Sequence, residues 1–215
     1  MKKNIIFMLS FTLITLCSVA QEELFIGNNG ASLAYLYAIY EDDYPDYGIA
    51  ASAFVNKSIA ISVGFASNDG YANTLAGLTY YSKAEKMILR WFVGVSYGRI
   101  REAYPTFQTY YHYYPLLGLN VGFFKNFFPK SNFPFAVAGS VSAQKGIESY
   151  NENVNKIRPT AGFHFTQGFF AKGNIYPFIG LAFTHEFEYK INLYSASLGI
   201  NVKVQARQKE EPKGL

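Results

Sequence analysis

The feature that most constrains this chain is a strict alternation of apolar and polar side chains near its C-terminal end, in residues 192–204. The apolar positions are Tyr194, Ala196, Leu198, Ile200, Val202 and Val204. The positions between them are Ser195, Ser197, Gly199, Asn201 and Lys203. Successive side chains of a β-strand point to opposite faces of the sheet, so this period of two predicts a strand with one apolar and one polar side.

The same period recurs in residues 59–65, 89–98, 110–123 and 157–166. In each segment the bulky face carries almost no charge, and the other face is small or polar, with many Gly, Ser, Ala and Thr residues. A soluble β-sandwich would place large apolar residues inward and charges outward. We therefore predict an all-β fold, a closed antiparallel up-and-down transmembrane β-barrel whose bulky face meets lipid and whose narrow interior holds the small face.

The alternating segments divide the chain into ten predicted strands. These are residues 31–40, 47–55, 58–66, 72–82, 87–100, 108–125, 133–147, 156–171, 175–187 and 190–204. Eight strands is the alternative, because both faces of 31–40 are nearly equally apolar and this segment could also be a helix or a plug. An even count places both ends of the barrel on the periplasmic side.

The connections are predicted to alternate in character, as in an up-and-down barrel. Short connections are expected at 56–57, 83–86, 129–132 and 172–174, and longer or more acidic ones at 41–46, 67–71, 101–105, 148–155 and 186–190. Tight turns would then lie at one rim and longer loops at the other.

Residues 1–20 have the three-part layout of a secretory signal peptide, in which Lys2 and Lys3 precede an apolar run and small residues lead to Ala20. A retained signal anchor is the alternative. Lipidation at Cys17 is not expected, because Leu16 stands where a lipobox needs a small residue. We assign residues 21–204 to the barrel and 205–215 to a charged, disordered tail.

Cleavage after residue 20 would remove the only cysteine, so the mature chain could form no disulfide. The formal charge of +4 falls to +2 without Lys2 and Lys3, since 17 basic residues then face 15 acidic ones. This balance argues against a nucleic-acid partner. Half of the residues are hydrophobic, yet after the signal they are interleaved with polar ones, which excludes a membrane-spanning helix there.

Aromatic residues make up 18% of the chain and gather toward the predicted strand ends. Examples are the runs at 80–81, 110–114, 123–128, 133–135 and 169–170. Aromatic girdles at the two lipid–water boundaries would explain this clustering. The alternative is the ordinary preference of Tyr and Phe for strands.

Over essentially the whole mature chain, these segments resemble the small outer-membrane β-barrels of the OmpA-like and OmpX-like kind. Residues 197–204, Ser-Leu-Gly-Ile-Asn-Val-Lys-Val, look like the C-terminal β-signal of that family, although the terminal aromatic residue is absent. The resemblance implies a location in the bacterial outer membrane, contact with outer-membrane lipid and recognition by the barrel-assembly machinery.

Three histidines could carry chemistry. His112 and His164 fall on the predicted inner face, where we expect a structural polar network rather than a ligand or catalytic site. The other predicted members of that network are Arg90, Gln144, Arg158 and Glu186. Charges inside a narrow barrel need partners, because an isolated charge is costly to desolvate.

An enzymatic alternative places His185, Glu186 and Glu188 beside an acidic loop at an outer rim, where they could orient a water for hydrolysis. A lipid A hydrolase would need a serine poised on the lipid face, whereas Ser195 is predicted to face inward. The acidic residues of the loops could instead bind calcium, although their spacing matches no loop motif. These are Asp42, Asp43, Asp46, Asp69, Glu148 and Glu152.

The sequence therefore favours a non-enzymatic, monomeric barrel of the cell envelope without catalytic residues, cofactor or metal. Its expected role is structural or interactive, through exposed loops. A narrow, porin-like pore for small solutes is the first alternative, and a surface hydrolase is the second. Eight to ten strands enclose an interior barely wider than its side chains, which excludes general diffusion.

Overall fold

The computed structural model describes the backbone of residues 30–40, 46–56, 58–68, 71–82, 89–104, 110–147, 156–188 and 190–203. Side chains are described within these ranges except at 30–46, 56, 68, 71, 73, 100–104 and 110–114. The predicted signal peptide and the charged tail lie outside the described residues.

The described residues form antiparallel strands. These are β1 (Gly30–Tyr40), β2 (Asp46–Asn56), β3 (Ile59–Asn68), β4 (Tyr71–Tyr81), β5 (Arg90–Tyr104), β6 (Tyr110–Phe127), β7 (Phe135–Gly146), β8 (Arg158–Gly168), β9 (Ile175–Glu186) and β10 (Ile191–Lys203). The predicted all-β, antiparallel, up-and-down architecture is confirmed. Within the part of the chain that is described, no helix has the length and apolar character needed to cross a bilayer.

Each strand pairs with its neighbours in the sequence, and β1 pairs with both β2 and β10. We call the rim where β1 begins and β10 ends the terminal rim, and the opposite one the loop rim. Residues 31–40, which could also have been a helix or a plug, lie in strand β1.

The expected alternation between short and long connections is wrong at β4. The connection from β3 to β4 at the loop rim spans only residues 69–70, whereas the one from β4 to β5 at the terminal rim spans 82–89. Backbone and side-chain hydrogen bonds hold the ends of the longer connection. The Ser82 amide donates to the Trp91 carbonyl at 2.9 Å, and the Arg90 guanidinium donates to the Ser82 carbonyl. Connection length therefore does not distinguish the two rims here.

Candidate functional site

The outer wall of the barrel is apolar and the inner wall is largely buried and polar or small. Along β9, for example, Ile179 and Leu181 are exposed while Gly180 and Thr184 are buried. Where their side chains are described, the predicted bulky faces of β3, β5, β6, β8 and β10 point outward. Because lipid replaces water around such a wall, apolar side chains can face outward at no cost in hydration. The candidate functional site is therefore the interior.

The half of the interior near the loop rim holds a polar cluster. Arg158 lies opposite Gln144 in the β7–β8 pairing, and Glu186 lies opposite Thr160 in the β8–β9 pairing. All four side chains are buried. One step deeper, the hydroxyls of Ser142 and Thr160 are 2.7 Å apart. The cluster brings together three members of the predicted network, Gln144, Arg158 and Glu186.

The remaining predicted members lie elsewhere. His164 is six residues beyond Arg158 along β8, about 20 Å at the usual rise of a strand. Arg90 begins β5 at the terminal rim and binds the Ser82 carbonyl. The side chain of His112 is outside the described set. The prediction of one network joining all of these residues is therefore wrong, because residues on the same face of a strand can still be separated along the barrel axis.

His164 is fully buried, and neither ring nitrogen has a hydrogen-bond partner among the described residues. The same holds for the Ser140 and Thr184 hydroxyls. Both of these residues lie opposite Gly162, the next inward position of β8. A Cβ at Gly162 would collide with the Thr184 side chain, so the absence of a side chain leaves room for these groups to approach. Unpaired buried polar groups are uncommon and costly.

Aromatic rings fill the interior near the terminal rim. Tyr81, Phe92 and Phe124 are fully buried, with ring centroids 5.7 to 6.4 Å apart, and Phe54 packs on Tyr81 at 5.6 Å. We call these four residues the aromatic plug. The Arg90 guanidinium lies 5.2 Å from the Phe124 ring centroid, a cation–π distance. The plug therefore lies between the polar interior and the terminal rim.

The aromatic plug was not predicted from the sequence, because the inner face was expected to be small or polar almost everywhere. Pairs of consecutive aromatic residues are the sequence feature that could have predicted the plug. In the pairs Tyr80-Tyr81 and Phe123-Phe124, the strand period forces one ring outward and the other inward. Gly122 contributes as well, since a Cβ there would collide with the ring of Phe92.

A second group of buried rings lies at the terminal end of β9, beside the end of β10. Tyr176 and Phe178 are buried, and the Lys203 ammonium is 5.2 Å from the Tyr176 ring centroid. The same ammonium donates to the Ala171 carbonyl. Apolar and cation–π packing therefore extends around this end of the interior.

The residues predicted for a hydrolase site do not lie together on one face of the wall. His185 and Glu186 are neighbours in β9, so they point to opposite faces, and Glu186 is buried inside. The Nδ1 atom of His185 is 2.8 Å from the Asn192 side-chain oxygen. Glu188 forms a salt bridge with Lys156 at 3.1 Å. Ser195 faces inward, as predicted.

The side chains of the acidic calcium candidates lie outside the described set, including that of Asp46 at the start of β2. Among the described side chains, no group of three or more His, Cys, Asp and Glu residues could hold a metal ion. Neither observation supports assigning a metal to the loops.

An antiparallel sheet with an apolar outer wall, a polar interior and aromatic residues at its rims defines the class of small outer-membrane β-barrels. The predicted location in the bacterial outer membrane follows from this class. No known family model matches the sequence, and no curated protein matches it.

The solved structures similar to this chain include three bacterial proteins. The N-terminal β-barrel domain of Pseudomonas aeruginosa OprF has 12% identity and a TM-score of 0.40, over 82% of this chain and 98% of that one. The translocator domain of the autotransporter NalP from Neisseria meningitidis has 7% identity and a TM-score of 0.46, over 91% and 96%. The outer membrane protein Omp33 of Acinetobacter baumannii has 7% identity and a TM-score of 0.38, over 82% and 98%.

Proposed function

We propose that this chain is a ten-stranded, closed outer-membrane barrel with a filled interior, whose role is structural or depends on interactions of its loops. Pairing of β1 with β10 supports closure, because it leaves no strand edge unpaired in a medium without water. The proposed surroundings are outer-membrane lipid, and the proposed assembly route is the barrel-assembly machinery. We propose a monomer that binds no nucleic acid.

The observation that carries the filled interior is the aromatic plug. Tyr81, Phe92 and Phe124 come from three consecutive strands and contact one another along the inner wall. In a barrel of this size the interior is little wider than its side chains, so several large rings at one level leave little passage for solutes.

Conductance across a planar lipid bilayer tests this proposal. The wild-type barrel is expected to show no steady channels, and a variant carrying both Phe92→Ala and Phe124→Ala is expected to show them. Phe123→Ala is the matched control, because its ring lies on the outer wall of the same strand. Steady open channels in the wild type would contradict a filled interior.

A narrow pore is the second candidate, and the polar cluster near the loop rim favours it. Ser142, Gln144, Arg158 and Thr160 line a hydrogen-bonding stretch that small polar solutes could enter. If this candidate is right, the wild-type channels will be small, and Arg158→Gln will change their preference between cations and anions. If the wild-type barrel shows no conductance at any voltage, the narrow pore is excluded.

We also propose that the chain is not an enzyme, which the divergent placement of His185 and Glu186 supports. His185→Ala is expected to leave the cleavage of peptides and of lipid A at the background level of the wild type. Measurable hydrolysis by the wild type that disappears in this variant would contradict the proposal.

A further inference from the structure

A groove with a volume of about 530 Å³ runs over β2 to β5 on the half of the barrel nearer the loop rim. Ala76 and Thr74 form its floor, because β4 presents only these small side chains outward at this height. Its walls come from the neighbouring strands. They are Ile49, Val63, Phe65, Tyr97 and Arg99.

This groove lies on the outer surface. The side chains of its floor and walls are exposed ones of the lipid-facing set, and all of its lining comes from four adjacent strands. Toward the middle of the wall the floor ends at the large side chain of Leu78, the next outward residue of β4. Toward the loop rim it ends beside Arg99, which lies opposite Thr74.

Arg99 lies where the apolar belt ends. The outward side of β5 is apolar from Leu89 to Tyr97, and Arg99 is the next outward position. At the usual rise and tilt of barrel strands, that run covers about 20 Å of membrane thickness. The apolar groove therefore lies at the depth of acyl chains, and the guanidinium lies at the depth of the headgroups.

A second outward cation lies at a similar height. Lys145 of β7 is exposed and pairs with Leu117 of β6, and the same strand pairs Pro115 with Arg99. Lys145 and Arg99 are separated by two strand spacings and by two residues along the strand, which places them about 12 Å apart. Two cations at this separation suit a lipid with two phosphates better than a lipid with one.

From this geometry we propose that the groove binds one acyl chain of lipid A, the diphosphorylated glycolipid, with its phosphates paired to Arg99 and Lys145. The Thr74 hydroxyl, exposed beside Arg99, adds a hydrogen-bond donor for a phosphate oxygen. A guanidinium and a phosphate form strong charge-assisted hydrogen bonds, which gives the site its preference for anionic lipid. This proposal rests on the proposed embedding in the outer membrane.

Native mass spectrometry of the folded full chain in detergent tests the site, with diphosphoryl lipid A, monophosphoryl lipid A and phosphatidylglycerol as probes. Arg99→Gln and Lys145→Gln are each expected to weaken the binding of diphosphoryl lipid A by about tenfold, the effect of losing one charged hydrogen bond. Ala76→Phe, which fills the floor, is expected to weaken all three probes. Lys125→Gln is the matched control, because this outward lysine lies at the terminal end of β6.

Heat-dependent mobility in gel electrophoresis shows separately that each variant is a folded barrel, so loss of binding cannot be confused with failure of the fold. Unchanged binding by both Arg99→Gln and Ala76→Phe would overturn the site. Equal affinity of the wild type for phosphatidylglycerol and diphosphoryl lipid A would overturn lipid A as the occupant.

Discussion

The rings of Phe133 and Phe170 lie 6.0 Å apart and join the β6–β7 turn to the β8–β9 turn at the terminal rim. A backbone hydrogen bond from the Ala171 amide to the Asn132 carbonyl, at 3.0 Å, ties the same two turns together. The turns also share a sequence pattern, Phe-Phe-x-Lys-x-Asn, which begins at residues 127 and 169.

In both turns the second phenylalanine has a left-handed backbone, with φ of 51° at Phe128 and 57° at Phe170. This conformation is unfavourable for a residue with a side chain, by roughly 1–2 kcal/mol. Both rings are nonetheless exposed, by 68% and 66%. Exposed rings two residues before Lys130 and Lys172 suit a lipid–water boundary, and they agree with the aromatic girdle expected at strand ends.

Lys190 has the same left-handed backbone, with φ of 56°, in the β9–β10 turn. Lys190→Gly is expected to raise the free energy of unfolding by about 0.5–1 kcal/mol, because glycine adopts this conformation without strain. Unfolding in urea from lipid vesicles measures the change. Lys172→Gly, at an exposed turn position without positive φ, should not raise the free energy of unfolding. An equal increase there would show that relief of backbone strain is not the cause.

Phe124 and Phe123 are adjacent in β6 but face opposite sides of the wall, with exposures of 0% and 50%. Phe124→Ala is expected to lower the free energy of unfolding by about 3–5 kcal/mol, because it leaves a cavity in the aromatic plug. Phe123→Ala should lower the free energy of unfolding clearly less, since lipid can fill the space that the outward ring leaves. Equal losses in urea unfolding would show that the two faces are not packed differently.

Leu198 is 59% exposed and is the central outward residue of β10, between Tyr194 and Val202. Leu198→Arg is expected to lower the free energy of unfolding from a bilayer by about 2–4 kcal/mol, the cost of arginine near the midplane. Leu198→Ala serves as the control for lost apolar contact. If the arginine variant were no less stable than the alanine variant in vesicles, the outer wall would not face lipid at this position.

His164 is buried with both ring nitrogens unpaired among the described side chains. His164→Leu is expected to raise the free energy of unfolding by about 1 kcal/mol or more, because it removes unsatisfied polar atoms from the interior. Thr160→Val, at another inward position of β8, should lower it, since the Thr160 hydroxyl forms a 2.7 Å hydrogen bond with the Ser142 hydroxyl. Destabilisation by His164→Leu would mean that the imidazole has a partner, such as bound water.

Local sequence patterns predicted the strands well, because a strand needs only a period of two over its own length. All limits of the strands lie within four residues of the predicted segments. The polar cluster was partly predictable, because Gln144, Arg158 and Glu186 fall on inward positions near the same rim. Whether His164 belongs to this cluster could not be predicted, since that depends on its distance along the barrel axis rather than on the face of the strand.

The sequence by itself determined which side of most strands meets lipid, because outward and inward residues differ in size and polarity at most positions. Only the tertiary structure decided what fills the interior. Phe92 and Phe124 meet because β5 and β6 pair in one particular register, and Gly122 leaves space for the ring of Phe92. Contacts between neighbouring strands depend on their register, which is a property of the paired strands together and is not determined by either strand alone.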